Sequence, residues 1–130
     1  MSPGSAPGRE PRGTLTLQTI AMPADTNANG DIFGGWLMAQ MDLGASVLAR
    51  QRAQGRVATV AVASMTFHKP VRVGDIVSLF AEIIREGTTS VGIHVEVWIR
   101  RLDHPEPQHM TEADFTFVAV DAAGAKRPLP

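Results

Sequence analysis

The chain of 130 residues contains no cysteine. That excludes disulfide staples, a thiol nucleophile and thiolate metal ligands, and it fits a reducing compartment such as the cytoplasm. No apolar run reaches the eighteen or so residues that a membrane span needs. Neither sign of charge is in surplus: 12 basic against 13 acidic residues give a formal net charge of −1, which is not the footprint of a nucleic-acid binder. Charged residues are slightly scarce at 19%, whereas the hydrophobic share of 44% is ordinary for a globular protein. The length suits one domain, small enough for a second subunit to help complete its core.

Both ends have little to bury. Residues 1–13, MSPGSAPGREPRG, are rich in Pro, Gly and Ser and lack the apolar stretch of a secretory signal. They read as a disordered tail, and residues 122–130 read as a flexible C-terminal one. Between them, residues 14–121 form the single expected domain.

Within that domain a strand is expected over Thr14 to Met22, followed by the turn-rich PADTNANGD. From Phe33 to about Ala53, apolar residues recur every three or four positions, the stripe of a helix. Met38, Leu43 and Val47 widen the stripe, so the helix should lie in the middle of something, with Gly55 as its stop. Val57 to Phe67 is nearly all small and β-branched, as in a strand buried on both faces. Strands follow at Ile76 to Ile84 and Val91 to Ile99, with Gly87 to Thr89 as a hairpin turn. In the second of these, Val91, Ile93, Val95, Val97 and Ile99 share a face, opposite His94, Glu96 and Trp98. Pro105 and Pro107 read as a loop before a last strand, Met110 to Val120. The fold class is α+β: a long helix covering a twisted antiparallel sheet.

Polar groups cluster where the helix begins, in DTNANGDIFGGW at Asp25 to Trp36. The spacing of Asp25, Asn27, Asn29 and Gly30 matches the start of a calcium-binding EF-hand loop. However, the twelfth position, which needs a bidentate Glu, is Trp36, and no helix precedes the loop. Alternatively, Gly34 and Gly35 leave the first backbone N–H groups of the helix uncovered. Those groups lack internal partners and carry partial positive charge, so they can hold a carbonyl developing negative charge. Asp31 supplies a carboxylate beside them, the minimum for hydrolysing an activated acyl group. A plain helix cap at Asp31 is the structural alternative and the one that spacing alone favours, while the chemistry leaves both open.

The runs NANGDIFGGWLMAQMD (Asn27 to Asp42), RVATVAVASMTFHKPVRVGD (Arg56 to Asp75), VEVW (Val95 to Trp98) and FTFVAVD (Phe115 to Asp121) resemble the YciA-type acyl-CoA thioesterases. The similarity spans about Leu15 to Pro128. The resemblance implies a hotdog fold, edge-to-edge dimers, often trimers of such dimers, and active sites shared between subunits. It implies that Asp31 is the catalytic carboxylate and that Gly35, or Gly34 beside it, supplies the amide that polarises the thioester carbonyl. No cofactor is implied beyond the coenzyme A of substrate and product, and no metal. Coenzyme A contacts are expected from Asn27, Arg56, Lys69 and Arg72, with Ser64 and Ser90 adding hydrogen bonds, because its phosphates call for basic partners. The chain departs from close relatives at Ala63, where they carry an acidic residue, and from some relatives at Thr66 and His68.

The expected reaction is hydrolysis of acyl-coenzyme A to a free acid and coenzyme A, over a broad acyl range. A thiolate leaves readily, its thiol having a pKa of about 8.5, so little acid catalysis is needed. Asp31 acts as general base on water or as nucleophile, and partial burial beside Phe33 would favour its basicity. His68 reads as a surface or dimer-edge residue, and His94, His104 and His109 show no metal-ligand spacing. Asp42 reads as a structural hydrogen-bonding group and Trp98 as packing. A non-catalytic acyl-CoA-binding or regulatory hotdog protein is the alternative; it would bind coenzyme A without turning over its thioesters.

Overall fold

A computed structural model describes residues 9–130; residues 1–8 of the expected tail lie outside it. The elements run β1 (Thr14–Ile20), a 3-10 turn (Pro23–Asp25), α1 (Gly34–Ala53), β2 (Val57–Phe67), β3 (Ile76–Glu86), β4 (Ser90–Arg101) and β5 (His104–Ala119). The strands form one antiparallel sheet in the order β1-β3-β4-β5-β2. The helix packs against every one of them, which is the hotdog arrangement.

The apolar stripe decides how α1 sits. Leu37, Met41, Gly44, Ala45, Ala49 and Ala53 are its buried residues, spaced so that one face meets the sheet. A Cβ on Gly44 would stand 3.0 Å from side-chain atoms of both Leu79 and Thr16, so glycine lets the helix approach β3 and β1 closely. Val91, Ile93, Val95 and Val97 of β4 meet this face with Phe115 and Phe117 of β5 in one core. Only the sheet side is covered, however. Met38, Leu43 and Val47, expected to be enclosed, are exposed. Gln54 ends the helix in the left-handed region at φ 51, one residue before the expected Gly55.

Two further expectations are corrected. The apolar β2 is not buried on both faces: it forms a sheet edge, and Val60, Val62 and Phe67 are exposed. Composition alone cannot tell a strand covered by its own chain from one whose cover is a second molecule. Pro105 and Pro107 lie within β5 rather than in a loop, because the β4–β5 hairpin turns tightly at Leu102 and Asp103 and both prolines fall on its exposed end. A proline can sit in a strand where no ladder N–H is required.

The ends are also held. Residues 9–12 of the expected tail lie over the outer face of the sheet. Arg9 bonds Glu96 at 3.3 Å and stacks 5.9 Å above the Trp98 ring. The Arg12 N–H also donates to Glu96 at 3.3 Å, and the Arg12 guanidinium pairs with Glu82. At the other end, Arg127 donates to the Ala53 carbonyl at 2.9 Å and to the Val120 carbonyl at 3.0 Å. Leu129 N–H reaches the Thr88 carbonyl at 2.8 Å. The last carbonyls of a helix lack internal partners, and Arg127 supplies one to the end of α1.

Candidate active site

The loop between the 3-10 turn and α1 is stitched by its own polar groups. Asn27 N–H donates to the Asp31 carbonyl at 2.7 Å, and Phe33 N–H to the Asp25 carbonyl at 3.0 Å. Gly30 has φ 80, a conformation costly for other residues. The Asn27 side-chain oxygen accepts from the Asn29 and Asp31 amides at 2.9 and 3.2 Å. It is therefore turned toward the backbone, which removes a ligand from the calcium arrangement and makes Asn27 a residue that positions Asp31.

Phe33, not Asp31, is the N-cap of α1, and no side chain caps the helix. The carboxylate of Asp31 is exposed, with no hydrogen bond or ion pair among the described residues. A Cβ built on Gly34 or Gly35 would meet nothing within 4 Å, so the approach to both amides is open. The first turn also borders a cleft of about 280 Å³ lined by Ile32, Phe33, Gly34, Leu37, Phe67 to Pro70 and Val71. Its walls are mostly apolar, with Lys69 and His68 among the polar residues that line it. Met41 is fully buried in the core and does not reach it.

That open approach predicts opposite effects of one substitution. Gly35→Ala should fold and gain up to about 1 kcal/mol of helix propensity. By crowding the amide it should lower turnover on the order of tenfold or more, since one lost oxyanion donor costs ~10²–10³. Thermal unfolding alongside thiol release reads both; a variant as active as wild type would remove the amide from the mechanism.

One chain gathers only part of the expected site. Asn27, Asp31, Gly34, Gly35 and Lys69 lie at one end of α1 and β2. Arg72 lines a separate hollow with Asp75 and Arg101, which pair at 3.0 Å. Arg56 donates to the Ala122 carbonyl at 3.1 Å, just before the first residue of β2. Ser90 opens β4 near it, since Ser90 pairs with Val118 and Val57 with Ala119. The whole of β2, Val57 to Phe67, lies between Arg56 and Lys69 and spans roughly 33 Å at ~3.3 Å per residue. Ser64 stands between, at φ 59, next to a break in register between Ala63 and Thr66. Asp42 accepts from the Thr59 hydroxyl at 2.6 Å, tying the edge strand to the helix, the structural role expected of it.

Sequence reasoning missed a group on the outer face of the sheet. His94 and Glu96 of β4 pair directly with Asp114 and Glu112 of β5. The available signal was His-x-Glu in one strand and Glu-x-Asp in another, each with the period of two that points side chains one way. Burial pushes the Glu96 carboxyl up, but donors from Trp98, the Arg12 amide and His94, with the charge of Arg9, outweigh it and hold it below the usual range. Trp98 therefore does more than pack: its ring N–H donates to Glu96 at 3.0 Å.

His109 is buried on the same face, its ring 5.1 Å from that of the exposed His68 and 5.3 Å from Trp98. Burial, then the charge of Arg9, holds its imidazole below the ordinary range, against the opposite pull of Glu96 and Glu112. The unfolded chain thus binds this proton more readily. The contribution of a neutral His109 is complete above the ordinary pKa of ~6.5 and is lost as pH falls below it. Between about pH 7.5 and about pH 5.5, straddling that value, wild type should lose more thermal stability than His109→Gln. Equal losses would contradict this.

A sequence profile of the thioesterase superfamily matches residues 29–103. The acyl-CoA thioester hydrolase YciA of Salmonella typhimurium is 56% identical over 123 residues, covering 92% of each chain. That of Escherichia coli is likewise 56% identical, covering 92% of this chain and 93% of its own. Among solved structures, a hexameric broad-specificity acyl-coenzyme A thioesterase superposes with a TM-score of 0.91 at 51% identity, over 95% of this chain and 86% of that one. A hexameric thioesterase from Yersinia pestis gives 0.89 at 56% identity, over 93% and 98%.

Proposed function

The chain belongs to the thioesterase superfamily, and from that premise we propose that it hydrolyses acyl-coenzyme A thioesters to a free acid and coenzyme A, over a broad acyl range. The observation that carries this reading is the start of α1. It is a helix N-terminus without a side-chain cap from Phe33, with open amides at Gly34 and Gly35, flanked by Asp31, which has no partner among the described residues, and by an apolar cleft. In the proposed reaction the thioester carbonyl oxygen meets the Gly34 and Gly35 amides, which stabilise the charge it gains. The acyl chain enters the cleft between Phe33, Leu37 and Phe67. Asp31 either takes a proton from the attacking water or attacks the carbonyl itself to form a mixed anhydride. In both routes coenzyme A departs as a thiolate, which needs little protonation.

A second copy is part of this reading. The edge strand β2 leaves Val60, Val62 and Phe67 uncovered, and Asp31 has no burial of its own. Pairing β2 with the β2 of a second chain about a two-fold axis covers the apolar edge. Because such strands run antiparallel, the Arg56 end of one lies against the Lys69 end of the other. That brings Arg56 and Ser90 of the partner toward Asp31, where the phosphates of coenzyme A need cations. Asn27, Ser64, Lys69 and Arg72 are the remaining proposed contacts. The hexameric relatives support further assembly into a trimer of these dimers. Among the described residues no helix is long and apolar enough to cross a membrane, and a cytoplasmic location is part of the proposal.

The test is thiol release from a panel of acetyl-, butyryl-, hexanoyl-, lauroyl- and benzoyl-coenzyme A. Turnover of several members supports the reading. Tight binding of coenzyme A with no release from any thioester would favour the non-catalytic alternative.

A further inference from the structure

The residues that line the proposed acyl site leave unexplained the polar group on the opposite face of the sheet. There Glu96 is fully buried and His94 nearly so, an arrangement that isolated charges rarely survive. The imidazole of His94 is engaged at both nitrogens. Its Nδ1 lies 2.7 Å from Asp114 Oδ1, and its Nε2 lies 3.2 Å from Glu96 Oε2 and 3.1 Å from Glu112 Oε2. A carboxylate that accepts the Nδ1–H fixes the tautomer and turns the Nε2 lone pair outward, the device that orients metal-bound histidines. With Asp114 in that role, Nε2 and two carboxylate oxygens become three donors facing one another.

The spacing of these donors is informative. Ligand bonds of about 2.0–2.1 Å in a tetrahedral zinc site place ligand atoms about 3.3 Å apart. The separations of 3.1 and 3.2 Å from Nε2 are close to that edge, and all three ligand atoms lie within 4.8 Å of one another. Glu96 has only one oxygen to offer, because Oε1 already accepts from Trp98 at 3.0 Å and from the Arg12 amide at 3.3 Å. We propose that His94, Glu96 and Glu112 bind a divalent transition-metal ion of the zinc class, with Asp114 as the positioning carboxylate behind His94.

The ligand charges balance, two carboxylates and a neutral imidazole against a dication, and the Asp114 carboxylate behind His94 leaves one further negative charge at the part-exposed side of the group. In the metal-free chain the offset comes from Arg9, whose guanidinium stands 3.3 Å from Glu96 Oε2 and 4.0 Å from Glu112 Oε2. Arg9 is one-third exposed and lies before β1, so it can withdraw as the ion enters. Glu112 is also within ligand distance of His68 and His109, which form the competing set. The ion would clamp β4 to β5 on the face away from Asp31, so it is structural and outside the hydrolysis.

The test uses the full chain, freed of metal by chelator and titrated with zinc chloride by calorimetry, with cobalt absorption reporting the geometry. One ion per chain is expected, with tetrahedral-intensity cobalt bands and a zinc-dependent rise in unfolding temperature. His94→Gln should weaken binding 100-fold or more. Glu112→Gln, at a part-exposed position that tolerates substitution, should do the same with the fold retained by circular dichroism. Asp114→Asn should cost about 10–100-fold, the usual effect of losing an orienting partner, and Arg9→Ala should tighten binding by removing the competing cation. Thioester hydrolysis should be indifferent to the chelator. No binding by wild type overturns the proposal. So does binding unchanged in His94→Gln but lost in His68→Ala, which would place the ion on the neighbouring set.

Discussion

Asp31→Ala is expected to lower thiol release by roughly 10²–10⁴-fold, the usual cost of losing one essential base. Its stability should stay within about 0.5 kcal/mol of wild type, as for surface substitutions that touch nothing else. The asymmetry follows from how the residue is held. Its backbone is anchored on both sides, by the Asn27 oxygen on its amide and the Asn27 amide on its carbonyl. Its carboxylate is exposed and unpaired among the described residues. Removing it leaves the loop stitched and the helix start unchanged. Coenzyme A should bind the variant as it binds wild type, since the proposed phosphate contacts lie elsewhere. Asp31→Asn keeps the shape while losing the charge and should fall as far. A variant that turns over at the wild-type rate would reduce Asp31 to a loop residue and end the proposed mechanism.

Val62→Asp is expected to dismantle the enzyme without touching its chemistry. Val62 is the middle residue of β2 and is 40% exposed in one chain. In a two-fold antiparallel pairing the midpoints of the two strands come closest, so each dimer would hold two carboxylates face to face. Like charges juxtaposed across an interface cost several kcal/mol, and each 1.4 kcal/mol weakens association about tenfold. Association weaker by on the order of 100-fold or more should appear as monomer in sedimentation velocity. Thiol release should fall with the assembled fraction and recover in part at high protein concentration, which a misfolded variant would not do. Wild-type assembly by this variant would show that the β2 edge is not where two copies meet.

How much of this was legible beforehand differs by element. The α1 stripe and the β4 alternation are read directly, because burial on one face imposes periods of 3.6 and 2 on the side chains themselves. The GDIFGG segment stood out through its resemblance to a thioesterase family, because its spacing alone left a plain helix cap at Asp31 open. β2 was misread because its composition reports that it is to be covered, not by which molecule. The contacts of the terminal residues were not legible because they are made by single arginines, Arg9 and Arg127, which composition cannot distinguish from surface charge.

By itself the sequence determined what local periodicity and near neighbours control, namely the helix, most of the strands and the turn-rich loop around Asp31, and its motifs carried the resemblance that gave the family. Only the tertiary structure decided what depends on residues far apart in the chain meeting. It made β2 an edge and set Phe33 rather than Asp31 as the cap. It placed Arg56 and Lys69 at opposite ends of one strand. It also carried His94 and Glu96 to Glu112 and Asp114 across a strand pair. Such meetings follow from strand order and register, which are chosen by the packing of the whole sheet on the helix and leave no mark at any one position.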